Sequence, residues 1–376
     1  MKIKAIEPTP SPNTMKVLLS EELPKGKSNN YKKEEINDAP DVIQDILKID
    51  GIKGVYHVAD FLAVERNAKF DWKDLLAAVR KAFGEEVSDN NKNENDLGEA
   101  FGEVKVFIQM FNQIPMQVKL TDGEREERIG LPERFKHAVF TVQQGKENVV
   151  LDRQWKEHSI RYGDFTEIGK EIVDEINAAY SDERLHKLAN ATTEEKEKAK
   201  TQPRKSYKVT IEMLSTDDWT ERFAHLDQMD PSEDDLDVLE KALDDEKASI
   251  RRLATVYLGM IEKPIILPLL YKALKDKSVT VRRTAGDCLS DIGDSSAIPE
   301  MIEALKDKNK LVRWRAAMFL YEVGDETALP ALKAAQEDPE FEVSMQVKMA
   351  IERIEGGDEA KGSVWKQMTE SRRSNA

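Results

Sequence analysis

The stretch from Asp276 to Asp307, DKSVTVRRTAGDCLSDIGDSSAIPEMIEALKD, decides how the C-terminal third of the chain folds, because its pattern returns every 31 residues. Ile250, Val281, Val312 and Val343 share one column, and Ala254, Ala285, Ala316 and Val347 the next. Leu258, Leu289, Leu320 and Ile351 form a third, followed by Ile261, Ile292, Val323 and Ile354. These columns fall at i, i+4, i+8 and i+11, which is one face of a helix. A second helix follows in each unit, on the columns Leu267, Ile298 and Leu329; Leu270, Met301 and Leu332; and Ala273, Ala304 and Ala335. Pro268, Pro299 and Pro330 sit at its start, where a missing N–H costs nothing. Asp245, Asp276, Asp307 and Asp338 occupy the turn before the next unit. No unit can enclose a core alone, so the units must stack into an all-α solenoid.

Working outward, a half-matching helix at 235–243 precedes three full units, and a truncated fourth copy closes them. That last copy has Ser344 in the column of Arg251, Arg282 and Arg313 and runs out at Glu355-Gly356-Gly357, as a capping half-unit would. The pattern D-x4-V-R-x2-A-x3-L-x2-I-G-D-x3-L-P-x-L-x2-A-L-K-D over 235–355 resembles HEAT-like repeats of the short, phycobilisome-lyase type. The resemblance implies a right-handed superhelical array that binds partners along one surface.

Arginines recur in register as Arg251-Arg252, Arg282-Arg283, and Arg313 with Arg315. One reading is an Asp–Arg ladder joining Asp245, Asp276 and Asp307 to neighbouring units. The other is a basic stripe for an acidic partner or a phosphate backbone, with Arg251, Arg282 and Arg313 as contacts and Trp314 as a stacking anchor. Against a nucleic-acid channel, residues 231–376 carry 28 acidic and 22 basic side chains, a net of −6.

The whole chain of 376 residues has a formal net charge of −15, a field that opposes nucleic acid as a general partner. It is long enough for two to four domains. A single cysteine, Cys288, excludes an intrachain disulfide and fits a reducing compartment, where it reads as a small packing residue. No run approaches the ~18 apolar residues of a membrane span, and the N-terminal MKIKAIEPTPSPNTMK lacks an apolar signal core. A cytoplasmic location is the resulting expectation.

Two polar stretches, at 88–99 and 190–206, read as linkers. They divide the chain into an α+β domain at 1–87, a second α+β domain at 100–189, the solenoid at 207–357 and a tail at 358–376. The first domain reads as ββαββα: a hairpin across PTPSPNT, a helix from Asp41, a second hairpin around Ala59-Asp60, and a helix capped by Asp71. The second appears in the same order, with strands at 104–111 and 116–120 across NQIP, a helix after Pro132, strand material over 149–161 and a helix capped by Asp164. A divergent duplication is the expectation. The fold class is thus multidomain, two small α+β (ββαββα-like) domains followed by a HEAT-like superhelical solenoid.

PTPSPNTMKV (8–17), DILKIDGIKGVYHVADFLAVERN and DWKDLLAAVRKAF together resemble the N-terminal domain of Nfu-type iron–sulfur scaffold proteins, with a polar insertion at 25–35. In that family the cluster is held by a separate C-x-x-C domain, which has no match here. The joint order resembles the conserved virulence factor C family of Gram-positive bacteria, whose name implies a link to virulence-factor expression and no reaction. Pro10, Pro12, Asn13, Thr14 and Met15 carry the first resemblance; they either set the hairpin turn or form a recognition loop.

Catalytic constellations find no support. One cysteine cannot hold a cluster or a zinc ion, and His57, His137, His158, His186 and His225 form no H-E-x-x-H or close pair. Gly26-Lys27-Ser28 ends like a P-loop, but Glu21 stands where its first glycine belongs. The expectation is a non-enzymatic scaffold or adaptor with protein partners and no cofactor. Its rivals are an accessory factor in iron–sulfur protein maturation that docks clients without holding a cluster, and a HEAT-like nucleic-acid-binding protein.

Overall fold

The computed structural model describes residues 1–84, 103–191 and 207–357, apart from interruptions at 10, 12, 25–26, 34–35, 37–38, 123–124 and 144–148. The stretch at 88–99, residues 192–206 and the tail at 358–376 lie outside them. Two compact units emerge: Met1–Glu103 with Asp122–Glu124 and Glu337–Gln346, and Val104–Thr121 with Arg125–Gln336 and Val347–Ala376.

The first unit runs β1 (Ile3–Pro8), β2 (Thr14–Leu19), β3 (Ser28–Lys32), α1 (Asp41–Lys48), β4 (Ile52–Val58), β5 (Phe61–Arg66) and α2 (Trp72–Ala82). Its sheet has the order β1-β2-β5-β4-β3, antiparallel throughout. Alternation along β2 sends Met15, Val17 and Leu19 inward, where they meet Leu62 and Val64 of β5. Ile43, Ile46 and Leu47 of α1 and Trp72, Leu75, Leu76 and Val79 of α2 close the same core. Asp71 caps α2 by accepting from the Lys73 N–H. Gly51 leaves α1 at φ +92°, with the Phe70 ring 2.5 Å from where a Cβ would stand, so both conformation and space demand glycine. The polar stretch read as an insertion at 25–35 contains strand β3. Ser28, Asn29, Asn30 and Lys32 are exposed because β3 pairs on one side only, so its polarity is that of a sheet edge.

The second unit begins with β6 (Glu103–Phe111), β7 (Ile114–Thr121), β8 (Glu126–Gly130), α3 (Glu133–Gln143), α4 (Val149–Asp152), β9 (Gln154–Tyr162), α5 (Phe165–Ala179) and α6 (Asp182–Ala189). Asn112 and Gln113, at φ 47° and 65°, make the two-residue turn between β6 and β7. Pro115 lies within β7, where the register slips against Gln109 and Met110, because proline cannot donate to the ladder. The sheet order, β8-β7-β6-β9, differs from that of the first unit, so the two sheets do not share a strand order. What read as strand material over 149–161 is a helical turn followed by one strand, and the third strand is β8, whose side chains are mostly exposed.

Among the described residues the chain continues as α7 (Trp219–Asp227), α8 (Leu236–Leu243), α9 (Ala248–Ile261), α10 (Leu267–Leu274), α11 (Val279–Ile292), α12 (Ile298–Ala304), α13 (Lys310–Val323), α14 (Leu329–Ala334) and α15 (Phe341–Glu355), the last of which starts within the first unit's Glu337–Gln346. The first three sequence columns are buried seams: Ile250, Ala254, Leu258, Val281, Ala285 and Leu289 are all fully buried, whereas Ile261, Ile292 and Val323 of the fourth are partly exposed. Helices α10, α12 and α14 each carry the recurrent proline in their first turn after a short 3-10 segment. Helix α7 supplies the first half of a further unit, completed by α8, which the sequence reading had as a lone half-matching helix.

Candidate protein-interaction surfaces

The first arginine column is a structural clamp. Arg251 donates Nε to Asp276 Oδ2 at 2.7 Å and Nη2 to Oδ1 at 2.9 Å, while Nη1 reaches the carbonyls of Asp245 and Glu246 at 2.8 and 2.9 Å. Arg282 repeats this on Asp307, at 2.7 and 3.0 Å, and on the carbonyls of Asp276 and Lys277. Arg222 of α7 does the same one unit earlier, gripping Asp245 at 2.7 and 3.1 Å and the carbonyls of Thr216 and Asp217. Arg313 donates Nη1 to the carbonyls of Asp307 and Lys308. Each aspartate also accepts a backbone N–H two residues on: Lys247, Ser278 and Asn309. One carboxylate therefore ends a turn and receives the next unit's fork, a bidentate geometry that only arginine supplies. Arg251 and Arg282 are buried in this ladder, so the expectation of a basic stripe for partners is corrected at these positions.

The next column faces β9 and α5. Arg252 approaches both Glu175 oxygens at 3.4 Å, and Arg161 of β9 donates Nη2 to Glu175 Oε2 at 2.8 Å. All three are buried, so two guanidinium groups share one carboxylate away from water. Burial first, and Arg252 second, lower the pKa of Arg161. Burial, then Glu175, raises the Glu171 carboxyl beside them. Arg283 lies over the Tyr162 ring at 4.2 Å and the Trp314 ring at 5.6 Å, with Nε 2.9 Å from Asp287 Oδ1. Arg315 reaches the same oxygen at 2.7 Å and also lies over Trp314. Trp314 does stack on cations, but on those of its own chain, at 1% exposure. It is no free anchor. Cys288 packs beside this column, its thiol 3.5 Å from the Thr255 carbonyl and pushed up in pKa by burial.

With both arginine columns engaged, the two most exposed large apolar side chains among the array's described residues are Met260 and Ile265, which flank one corner between helices. Met260 closes α9 and Ile265 lies in the 3-10 segment before α10, at 59% and 56% exposure. One unit later those positions hold Asp291 and Ser296, and two units later Glu322 and Thr327. Between them Glu262 adopts a left-handed conformation, φ 52°, where the next unit has Gly293 at φ 63°. A non-glycine residue held there costs about 1 kcal/mol or more. The sequence signal was present as a departure from column polarity; columns aligned on buried positions do not show it.

In the first unit, Pro10 and Pro12 lie outside the described residues. Thr14 pairs with Glu65 and Met15 with Val64, and Met15 is core. Asn13 has a different task. Its carbonyl accepts the Arg66 N–H at 2.9 Å, and its Oδ1 stands 3.5 Å from Arg66 Nε. Arg66 Nη1 donates to the Phe70 carbonyl at 3.0 Å and the guanidinium lies 5.1 Å from the Trp72 ring, leaving Nη2 to meet Glu342 Oε1 at 2.8 Å. Both charges are buried. Nothing in the local sequence marks this pair, whose members are separated by most of the chain.

An Nfu-like sheet domain, a central sheet region and a ladder-locked helical array on one chain define a multidomain HEAT-repeat protein. Family profiles match accordingly: the N-terminal region of Nfu/NifU scaffold proteins over residues 3–90, a virulence factor family over 109–189 and HEAT repeats over 266–352. The chain belongs to the conserved virulence factor C family. It is 50% identical to that protein of Staphylococcus aureus over 371 residues, 98% of this chain and 99% of the relative. With the Staphylococcus saprophyticus protein it shares 44% over 379 residues, the full length of both. Protein YpgR of Bacillus subtilis is 70% identical over 374 residues, 99% of each chain. Among solved structures, protein SAV1430 of Staphylococcus aureus is 40% identical and covers 22% of this chain and 99% of its own, at a TM-score of 0.21. No described helix is long and apolar enough to cross a membrane.

Proposed function

We propose that this chain is a non-enzymatic interaction scaffold, and that its repeat array presents the corner at Met260 and Ile265 to a protein partner. The observation that carries the reading is the exposure of these two side chains at positions where later units are polar. The ladder supports it: successive Arg–Asp forks hold the units in fixed register, so the corner is offered on a rigid frame and binding orders little besides side chains. Methionine suits such a surface, since its flexible, polarisable side chain adapts to a partner. Strain at Glu262 is consistent with a functional corner. The name of the family connects the role to virulence, and we read that connection as running through a bound protein.

The test is affinity capture by the full-length protein from extracts of a Gram-positive host, comparing wild type with M260E/I265E. A specific protein retained by wild type and depleted on the double variant is expected. Identical captures on both, or a turnover activity in the purified protein, contradict the reading.

A further inference from the structure

Helices α9, α11, α13 and α15 end along one edge of the array. A Cβ at Gly259 of α9 would lie 2.5 Å from Cys288 Sγ of α11, and one at Gly293, just past α11, 4.0 Å from Val323 Cγ2 of α13. Arg353, near the end of α15, donates Nη2 to the Leu320 carbonyl at 3.3 Å and to the Gly324 carbonyl. The turns after the first three helices, 262–265, 293–296 and 324–327, therefore follow one another along this edge. They carry Glu262, Asp294, Asp325 and Glu326 against a single lysine, Lys263, which is already paired with Glu233. Met260 and Ile265 form an exposed apolar step at the α9 end of this acidic edge.

The chain leaves α15 at the same edge, and the described residues end there at Gly357. Residues 358–376 lie outside them and read DEAKGSVWKQMTESRRSNA. Val364, Trp365 and Met368 are the large apolar residues of this segment. Past Asp358-Glu359, Lys361, Lys366, Arg372 and Arg373 outnumber Glu370, a charge opposite to that of the edge. Tryptophan, methionine and arginine are the residue types that interfaces favour. The span also fits. Packed helix axes lie about 8–10 Å apart, so the three steps from α15 back to α9 cover roughly 24–30 Å. Eight residues from Gly357 to Trp365 reach at most about 29 Å, and eleven to Met368 about 40 Å. Tethering supplies a high effective concentration, so a contact of a few side chains suffices in cis.

We propose that residues 361–373 dock in cis along this edge, seating Trp365 and Met368 on Met260 and Ile265 and setting their cations beside Glu262 and the acidic turns, and that a partner protein must displace them to reach the corner. The inference rests on the reading of that corner as a docking surface and adds its regulation. The occupant is a segment of the same chain, chosen by its charge, its reach and the edge from which it departs.

The experiment uses the purified full-length chain with a photo-crosslinking residue at position 260, and the same residue at position 303 as control. Illumination is expected to join position 260, and not 303, to a proteolytic fragment from 361–373 within one chain, read by mass spectrometry. W365S/M368S is expected to lower that yield about fivefold or more. No such adduct, the same adduct from 303, or a yield unchanged by W365S/M368S overturns the proposal. An adduct with the mass of two chains assigns the segment to a second copy and overturns docking in cis. Capture from host extract separates this inference from the reading beneath it. W365S/M368S is expected to retain about threefold or more of the partner that wild type retains, since the cis competitor is gone; unchanged retention overturns the regulation. A partner lost on M260E/I265E with no tail adduct overturns this inference and leaves the scaffold reading standing. A tail adduct with no partner captured supports the docking and overturns the scaffold reading.

Discussion

Arg251 and Asp276 meet through two hydrogen bonds, at 2.7 and 2.9 Å, and the same fork recurs between Arg282 and Asp307 and between Arg222 and Asp245. The pair is largely buried, at 4% and 11% side-chain exposure. R251A leaves a carboxylate and two turn carbonyls without their donor, and is expected to cost about 3 kcal/mol. R251K restores the charge without the fork and is expected to recover less than half of that. Urea unfolding of the two variants checks both figures, and a double-mutant cycle with D276N isolates the shared part.

Acid acts on the ladder with a definite sign. Burial would raise the Asp276 carboxyl, but the Arg251 hydrogen bond and the Ser278 N–H hold it below the usual carboxylate range. Its stabilising contribution is therefore present above about pH 4, the unfolded value, and is lost as pH falls through the lower folded one. Glu342 runs the other way, since burial raises it: its contribution is present below about pH 4.3 and lost as pH rises through the folded value. In thermal melts across pH 3 to 7, D276N is expected to flatten the acid limb of the wild-type profile. E342Q is expected to leave that limb and remove a decline above it.

The shared carboxylate at Glu175 predicts an asymmetry. E175A strands both Arg161 and Arg252 in the interior, whereas R161M leaves one ion pair formed. The first is expected to cost about 3–5 kcal/mol and the second clearly less. Chemical denaturation of both, with unfolding read by tryptophan fluorescence, checks the order.

Packing between α9 and α11 is tight enough to test by a single methyl. A Cβ at Gly259 would lie 2.5 Å from Cys288 Sγ. G259A is expected to destabilise the protein by about 1–3 kcal/mol, and C288A in the same chain to restore most of the loss. A G259A protein as stable as wild type would show that the helices can separate at no cost.

What the sequence revealed, and what it hid, divides along physical lines. The array was legible because stacked units repeat the same burial at the same spacing, so Ala254, Ala285 and Ala316 could be aligned without a structure. The unit at α7 escaped because Arg222 precedes Arg251 by 29 residues, not 31, although its fork on Asp245 is the same. Edge strands β3 and β8 escaped because strands paired on one side need no apolar alternation. The column of Arg251 and Arg282 fits a ladder or a basic stripe equally in sequence, and only the position of Asp276 and Asp307 decides between them. Glu342 was invisible as a partner of Arg66, since a long-range pair leaves no local period.

The scaffold reading rests on the corner at Met260, and a photo-crosslinking residue placed there in the living cell tests it most directly. Position 303, an exposed glutamate at 63% side-chain exposure on α12, serves as control. The account predicts a discrete protein adduct from position 260 that is absent from position 303. No adduct at 260, or the same adducts from both positions, would contradict it.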